Sequence, residues 1–544
     1  MNAGRLRGAT QTLAGAAVMI TVVTIASRLV GFLRSMAQVK YVGTEGVGAA
    51  YAAANVLPNV LFEVAAGGAL AGAVVPLLAG PLARRAGVET SRIASALLGW
   101  TLVALVPLAL LVVVVAHPVA SFLSDDPEIV RLVAAFLRVF ALQVPLYGLA
   151  VVLGGILQAH KRFFWQAAAP LFSSLVVIAV FIGFGVLAQG DPRRPESVSA
   201  ASLEWLAWGT TAGVAMLALP LVVPVWRTGV RLRPTLRFPG GEGRRAAHLA
   251  FAGIGALVAQ QASVLAVMKS AFDAGPASTF AVYLQAQQVY LLPYAVLAFP
   301  LATSSFPRLA EHVAHARHAA YRRLLSTTTR ALLTVTGAGT AALVAASVPV
   351  ESAYADFATG SVLGMALALA WMAPGLIGFA LILHLTRALY VIDRQRAAVV
   401  ATASGWAVVA GAALVLPTAL GATEQPAVLR LLGLATTLGM AVAATGLLVA
   451  VRRAAGGDAV AGVPRTLSVV TAGTALGAWA GASIAGVLLP DGASLLVALG
   501  VGIVAALVAT VVVLASSFVA DRAALGAILR RGRGTPSDVE AQSD

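Results

Sequence analysis

Thr24-Ile25-Ala26-Ser27-Arg28-Leu29-Val30-Gly31-Phe32-Leu33-Arg34 closes the first apolar run of the chain, and that run is long enough to cross a bilayer. An arginine at membrane depth costs at least ~2.5–3.5 kcal/mol on insertion scales and persists mainly by facing a water-filled path. The stretch therefore predicts a membrane helix beside a polar path for something negatively charged.

The composition agrees. Of 544 residues, 59% are hydrophobic and 11% are charged, with a mean hydropathy of +0.90. A soluble domain carries about 25% charged residues, so the chain falls in the membrane class. The 53 glycines and 25 prolines suit membrane helices, where they permit close packing and local unwinding. With no cysteine, disulfides, thiolate metal sites and thiol catalysis are excluded. The net charge of +15 does not point to nucleic acid, because the basic residues fall in the loops between apolar runs. Arg5 and Arg7 precede the first run as they would in a signal peptide. The run continues into Arg28 without a clean cleavage site, so it is expected to stay as the first span.

At about 20 apolar residues per crossing, spans are expected near 11–34, 47–80, 93–116, 129–158, 164–188, 203–226, 247–272, 278–308, 327–349, 359–390, 397–419, 427–451, 467–489 and 493–519. This is an all-α polytopic protein of about 14 transmembrane helices. One set of connections collects Arg84, Arg85, Arg92, Lys161, Arg162, Arg227, Arg231, Arg233, Arg237, Arg244 and Arg245. Later members of the set include Arg317, Arg322, Arg323, Arg394, Arg396, Arg452, Arg453 and Arg465. The opposite set holds Asp125, Asp126, Glu128, Asp191, Glu196, Asp356, Glu424 and Asp491, with Arg193 and Arg194 as its main basic pair. By the positive-inside rule both termini are expected in the cytoplasm. Pro76-Leu77-Leu78-Ala79 and Pro307-Arg308-Leu309-Ala310 each close a long apolar segment before a basic loop, with Pro58 and Pro293 upstream. This hints at an internal repeat, a common transporter plan.

Several polar residues fall inside spans. Arg28 is read as substrate-facing, since a guanidinium stays charged and forks onto phosphate oxygens; pairing with Glu63 is the alternative. Arg34 either faces substrate or snorkels. Glu63 is a counter-ion for Arg28, or a proton or cation site. Lys269 either faces the polar path or snorkels outward. Gln260, Gln261, Gln285, Gln287 and Gln288 make a polar stripe expected to point inward. Arg138, Arg330, Arg387 and Arg430 are read as anchors near span ends, and His160, His312, His315 and His318 as solvated loop residues. No His/Asp/Glu grouping has metal spacing, no glycine pattern reads as a nucleotide loop, and no catalytic constellation is evident. A transporter without cofactor or metal is the expectation.

The segments Ala26-Ser27-Arg28-Leu29-Val30-Gly31-Phe32-Leu33-Arg34, Tyr51, Leu57-Pro58-Asn59, Gly68-Ala69-Leu70 and Val74-Val75-Pro76 resemble the MurJ (MviN) family of lipid II flippases. So does the stretch from Leu297 to Pro307. The resemblance implies the multidrug/oligosaccharidyl-lipid/polysaccharide exporter fold, with two pseudo-symmetric lobes in a V around a central cavity and two extra C-terminal helices forming a lipid-tail groove. It implies a cytoplasmic N-terminus at 1–10, a first lobe at 11–226 and a basic linker at 227–246. A second lobe at 247–451, the groove helices at 467–519 and a basic, then disordered tail at 520–544 would follow. The implied function is alternating-access transfer of the polyprenyl-pyrophosphate-linked peptidoglycan precursor to the outer leaflet of the inner membrane, for cell-wall synthesis. Membrane lipids and cell-wall synthesis proteins are the implied partners.

Arg28 and Arg34 match the family's first-helix arginines, and Asn59 lies in its LPN motif. With Lys269 and Gln288 they form the expected substrate-binding set, with Glu63 as an ion-pair or coupling residue. The chain departs from the family at Ala49, at Gly67, where a cation is common, and at Gln288, where a cavity arginine would fall. An ion-coupled exporter of another lipid-linked glycan or small amphipathic compound, or a non-transporting envelope scaffold, are the alternative readings.

Overall fold

The computed structural model describes residues 13–64, 71–238 and 254–520. Arg5, Arg7, Gly67, Arg244, Arg245 and the tail from 521 lie outside the described residues. In hydrocarbon every peptide N–H and C=O must be paired inside its own segment or with a neighbour, which leaves the helix as the economical solution for these apolar runs even where proline interrupts them. The described residues form α1 Leu13–Tyr41, α2 Val47–Phe62, α3 Ala71–Ala83, α4 Gly87–Leu123, α5 Pro127–Phe140, α6 Gln143–Ala159, α7 Phe163–Leu187 and α8 Ala200–Trp226. There follow α9 Ile254–Ala274, α10 Ser278–Pro293, α11 Phe299–Ala314, α12 His318–Phe357, α13 Met365–Met372, α14 Gly375–Val391, α15 Gln395–Ala419, α16 Gln425–Ala455, α17 Val463–Leu488 and α18 Leu495–Ala520.

Eleven helices among the described residues are long and apolar enough to cross a membrane, and α13 with α14, bent by 48°, brings the number to twelve. The protein is a multi-pass membrane protein. Two of the expected fourteen spans fall outside this count. The 47–80 span is divided into the shorter helices α2 and α3, and α9 carries Gln260, Gln261, Lys269 and Asp273, which lower its hydropathy.

The chain divides into two compact units. One comprises Met1–Gln261 with Ala277–Ala281 and Ala358–Ser361; the other comprises Ala262–Pro276, Val282–Phe357 and Val362–Asp544. Their internal plans repeat. The helices α2 and α10 are both 16 residues long, and each runs directly into a π-turn, at 63–64 and at Tyr294–Ala298. The next helices, α3 and α11, end before left-handed residues, Arg85 at φ 56° and Ala316 at φ 54°. The pair α6 and α14 are 17 residues each, α7 and α15 are 25 each, and Lys161 (φ 58°) and Asp393 (φ 56°) close α6 and α14 alike. The repeat hinted at by the two proline motifs thus extends over most of both units.

Leu77, Leu78, Ile93, Leu97, Leu153, Ile156 and Leu157 centre the core of the first unit. Leu325, Leu332, Leu381, Leu385, Leu389 and Leu447 do so in the second. The last two helices join the second unit through small residues, Ala338, Ala341 and Ala345 of α12 meeting Ala485 of α17 and Ala505 and Ala509 of α18. Lipid tails are as apolar as leucine, so packing of backbones brought close by small residues is what holds such helices together. A Cβ on Gly481 of α17 would stand 2.6 Å from the Ala505 carbonyl oxygen. Arg330, expected as an anchor, instead donates from Nε to Thr466 Oγ1 at 2.9 Å and ties α12 to the start of α17.

Candidate functional site

Arg28 and Arg34 both leave α1 as exposed side chains. Six residues separate them, about 120° around a helix at 100° per residue, so they do not share a face. Ser27 donates to the Ala167 carbonyl at 3.1 Å and fixes α1 against α7. Among the described residues Arg28 has no hydrogen bond or ion pair, and no bridge joins it to Glu63. Its charge is therefore uncompensated among the described residues.

Tyr51, on α2, is buried edge-on among Phe136, Phe140 and Phe181, and its hydroxyl lies 3.2 Å from Thr210 Oγ1 on α8. Thr210 spends its one proton on the Leu206 carbonyl at 2.7 Å, so Tyr51 is the donor. The second unit repeats this bond: Tyr283 of α10 meets Thr436 of α16 at 3.2 Å, and Thr436 donates to Leu432.

Tyr147, on α6, donates to Asn59 Oδ1 at 3.0 Å and lays its ring 4.5 Å from that of Phe62. With Oδ1 occupied, the exposed Asn59 amide keeps its two N–H donors for an acceptor such as a phosphate or sugar oxygen. Glu63, where α2 passes into its π-turn, is exposed. Tyr147 thus joins Asn59 of α2 to α6 within the first unit. Deeper in, Gln143 donates to Thr211 Oγ1 at 3.3 Å, while its own Oε1 is buried without a partner.

The structure places Lys269 and Gln288 in the second unit. Lys269 is half-buried and ion-paired with Asp273, one turn on in α9. The counter-charge of Lys269 thus lies within its own helix. Gln288 is exposed on α10, whereas Gln285 and Gln261 are buried. His160 and His315, read as solvated, bond through Nδ1 to the carbonyls of Ile156 and Glu311 at 2.8 and 2.9 Å and finish their helices.

Sequence reading missed Tyr147, Thr210 and Gln143. They lie in helices of nearly uniform apolarity, and no local motif marks them. Asp273 was legible at i+4 from Lys269.

Comparison with known proteins follows the same line. The chain is 28% identical over 296 residues to the probable lipid II flippase MurJ of Rhizobium meliloti (strain 1021), covering 53% of each chain. It is also 28% identical over 242 residues to that of Synechocystis sp. (strain ATCC 27184 / PCC 6803 / Kazusa), covering 42% of this chain and 44% of the other. These alignments span about half the length of the curated relatives. A solved structure of lipid II flippase MurJ in an inward closed conformation superposes with a TM-score of 0.70 at 17% identity, over 91% of this chain and 98% of that one. An inward-facing multidrug resistance MATE transporter of the MOP superfamily gives 0.62 at 14% identity, over 80% and 98%. Both likenesses bear on the fold alone. The family model described as lipid II flippase MurJ matches residues 38–500, and by that match the chain belongs to the MurJ family of lipid II flippases.

Proposed function

We propose that this chain carries lipid II from the inner to the outer leaflet of the bacterial cytoplasmic membrane by alternating access, with both termini in the cytoplasm. The observation that carries the reading is Arg28, a membrane-helix guanidinium with no partner among the described residues. An unpaired cation at that depth is stable when water or an anionic ligand reaches it, and a pyrophosphate offers the forked oxygens a guanidinium binds best. Exposed Arg34 and Asn59 would supply further donors, and exposed Glu63 an acceptor, for the headgroup. The outward faces of α17 and α18, with Leu476, Trp479, Ile503 and Leu507 exposed, suit a polyprenyl tail that never leaves apolar surroundings. Moving a charge through the membrane field is worth about 2.3 kcal/mol per 100 mV, so the membrane potential is the proposed drive.

The test is transfer of labelled lipid II in cells or vesicles, wild type against Arg28→Ala at matched expression. Transfer by wild type and its loss in the variant supports the reading. Unchanged transfer in the variant removes Arg28 from the site, and absence of transfer by wild type beside an active control removes the function. Single cysteines added at residues 3 and 540 of this cysteine-free chain should resist impermeant maleimide from outside, as cytoplasmic termini require.

A second reading rests on the second unit. Lys269 is neutralised by Asp273 and Gln288 bears no charge, which favours a less anionic cargo, such as another lipid-linked glycan or an amphipathic compound exported against an ion. Competition for the labelled precursor separates the two.

A further inference from the structure

Where α4 ends and α5 begins, the first unit contains a cavity of 410 Å³ lined by His117, Ser121, Ser124, Asp125, Arg131 and Arg138, with Val130 and Ala134 as its apolar lining. Ligand sites commonly measure ~300–1,000 Å³. On the orientation proposed above, it opens at the outer leaflet.

The lining divides into occupied and unoccupied groups. Arg131 is bridged to Glu128 at 2.5 Å. Ser124 accepts from the Asp126 N–H, Asp126 caps α5, and Ser121 bonds back to its own helix. Among the described residues the side chains of His117, Asp125 and Arg138 make no hydrogen bond or ion pair. A guanidinium, an imidazole and a carboxylate therefore converge on one cavity with their capacity unused.

The approach to the cavity is apolar. Leu110, Val114, His117 and Ser121 follow each other at four, three and four residues, one face of α4. Leu110 is 62% exposed and Val114 75%. The face is thus hydrocarbon-like for two turns and then polar for two, the profile of a surface that contacts an amphiphile along its length.

We propose that this cavity binds the phosphodiester headgroup of a membrane phospholipid, its phosphate on Arg138 and His117 and its acyl chains along Leu110 and Val114. Asp125 argues for a lipid over free phosphate. Its carboxylate repels a bare multiply charged anion, but accepts from an ammonium or hydroxyl on the far arm of a phosphodiester. A lipid held there would brace the α4–α5 junction.

Native mass spectrometry of the purified full chain with phosphatidylethanolamine tests this. Arg138→Gln is expected to weaken one lipid-binding event about tenfold, the loss of one charge-assisted contact, and Asp125→Asn to weaken the same event. Inorganic phosphate at millimolar concentration is expected not to displace the lipid. Equal lipid retention by wild type and both variants overturns the site, and displacement by inorganic phosphate overturns the lipid as its occupant. Because Arg138→Gln could fail to fold, wild-type protein is also exposed to phosphatidylethanolamine bearing a photoreactive acyl chain. Crosslinks within 110–121 are expected, and their absence from that segment overturns the proposal.

Discussion

Tyr147 and Asn59 are joined by a hydrogen bond of 3.0 Å between α6 and α2, and that bond decides which atoms of Asn59 remain to meet a ligand. The tyrosine occupies one acceptor site of the amide oxygen and leaves both amide N–H donors of the exposed Asn59 free to meet a ligand.

Tyr147→Phe is therefore expected to release Asn59 without unfolding the protein. Loss of one hydrogen bond of this kind is worth about 1 kcal/mol, near a fivefold change in affinity for a headgroup oxygen. Titration of purified protein with lipid II reads this directly, and an unchanged affinity removes Asn59 from the site.

Arg28 and Arg34 should respond differently to charge-conserving change. Arg28→Ala is expected to cost about ten- to a hundredfold in transport, as loss of a charged hydrogen bond does. Arg28→Lys should recover part of this, since lysine keeps the charge but not the fork. Arg34→Ala, which removes another exposed cation of α1, should show a smaller loss. Transport assays at matched membrane levels rank the three variants.

The Tyr51–Thr210 and Tyr283–Thr436 bonds hold equivalent places in the two units. Tyr51→Phe and Tyr283→Phe should each destabilise by about 1 kcal/mol. Truncation of either ring to alanine should cost about 3–5 kcal/mol and reduce the amount of folded protein. Thermal unfolding in detergent compares the pairs, and a large asymmetry between units would show that the repeat is not an energetic one.

Gly481→Val should loosen α17 from its neighbours, because even a Cβ meets the Ala505 carbonyl at 2.6 Å and Ala345 Cβ at 2.5 Å. Overpacking of this type costs about 1–3 kcal/mol. Since the chain has no cysteine, paired cysteines at Ala341 and Ala509 offer a crosslinking readout of the α12–α18 contact, and its yield should fall in the variant.

The exposed loop between α7 and α8 gives a pH signature. Arg193 donates to both oxygens of Asp191 at 3.1 and 3.0 Å, and this bonding holds the Asp191 carboxyl below its ordinary value of 3.8. A depressed carboxyl contributes order that is fully present above the unfolded value and is lost as pH falls through the folded one. Hydrogen-exchange protection in this loop, taken relative to the intrinsic amide rate at each pH, should be unchanged from pH 7 to the ordinary carboxylate range and fall only below it. Asp191→Asn should abolish that pH dependence.

By itself the sequence determined the solvent, most of the crossings and the family. Hydropathy reports how much of each segment suits lipid, and the motifs around Arg28 and Leu57-Pro58-Asn59 are local and contiguous. It also marked the unusual charges, because a cation in an apolar run is visible without coordinates. Tertiary structure decided which of those charges have partners. Arg28 stands alone among the described residues, Lys269 pairs with Asp273, and the break after α2 that presents Glu63 has its twin at Tyr294–Ala298. The reason is physical: a helix apolar on every side carries no amphipathic signal to say which face turns toward which neighbour. The meeting of Tyr147 with Asn59, 88 residues apart, arises only when the helices pack.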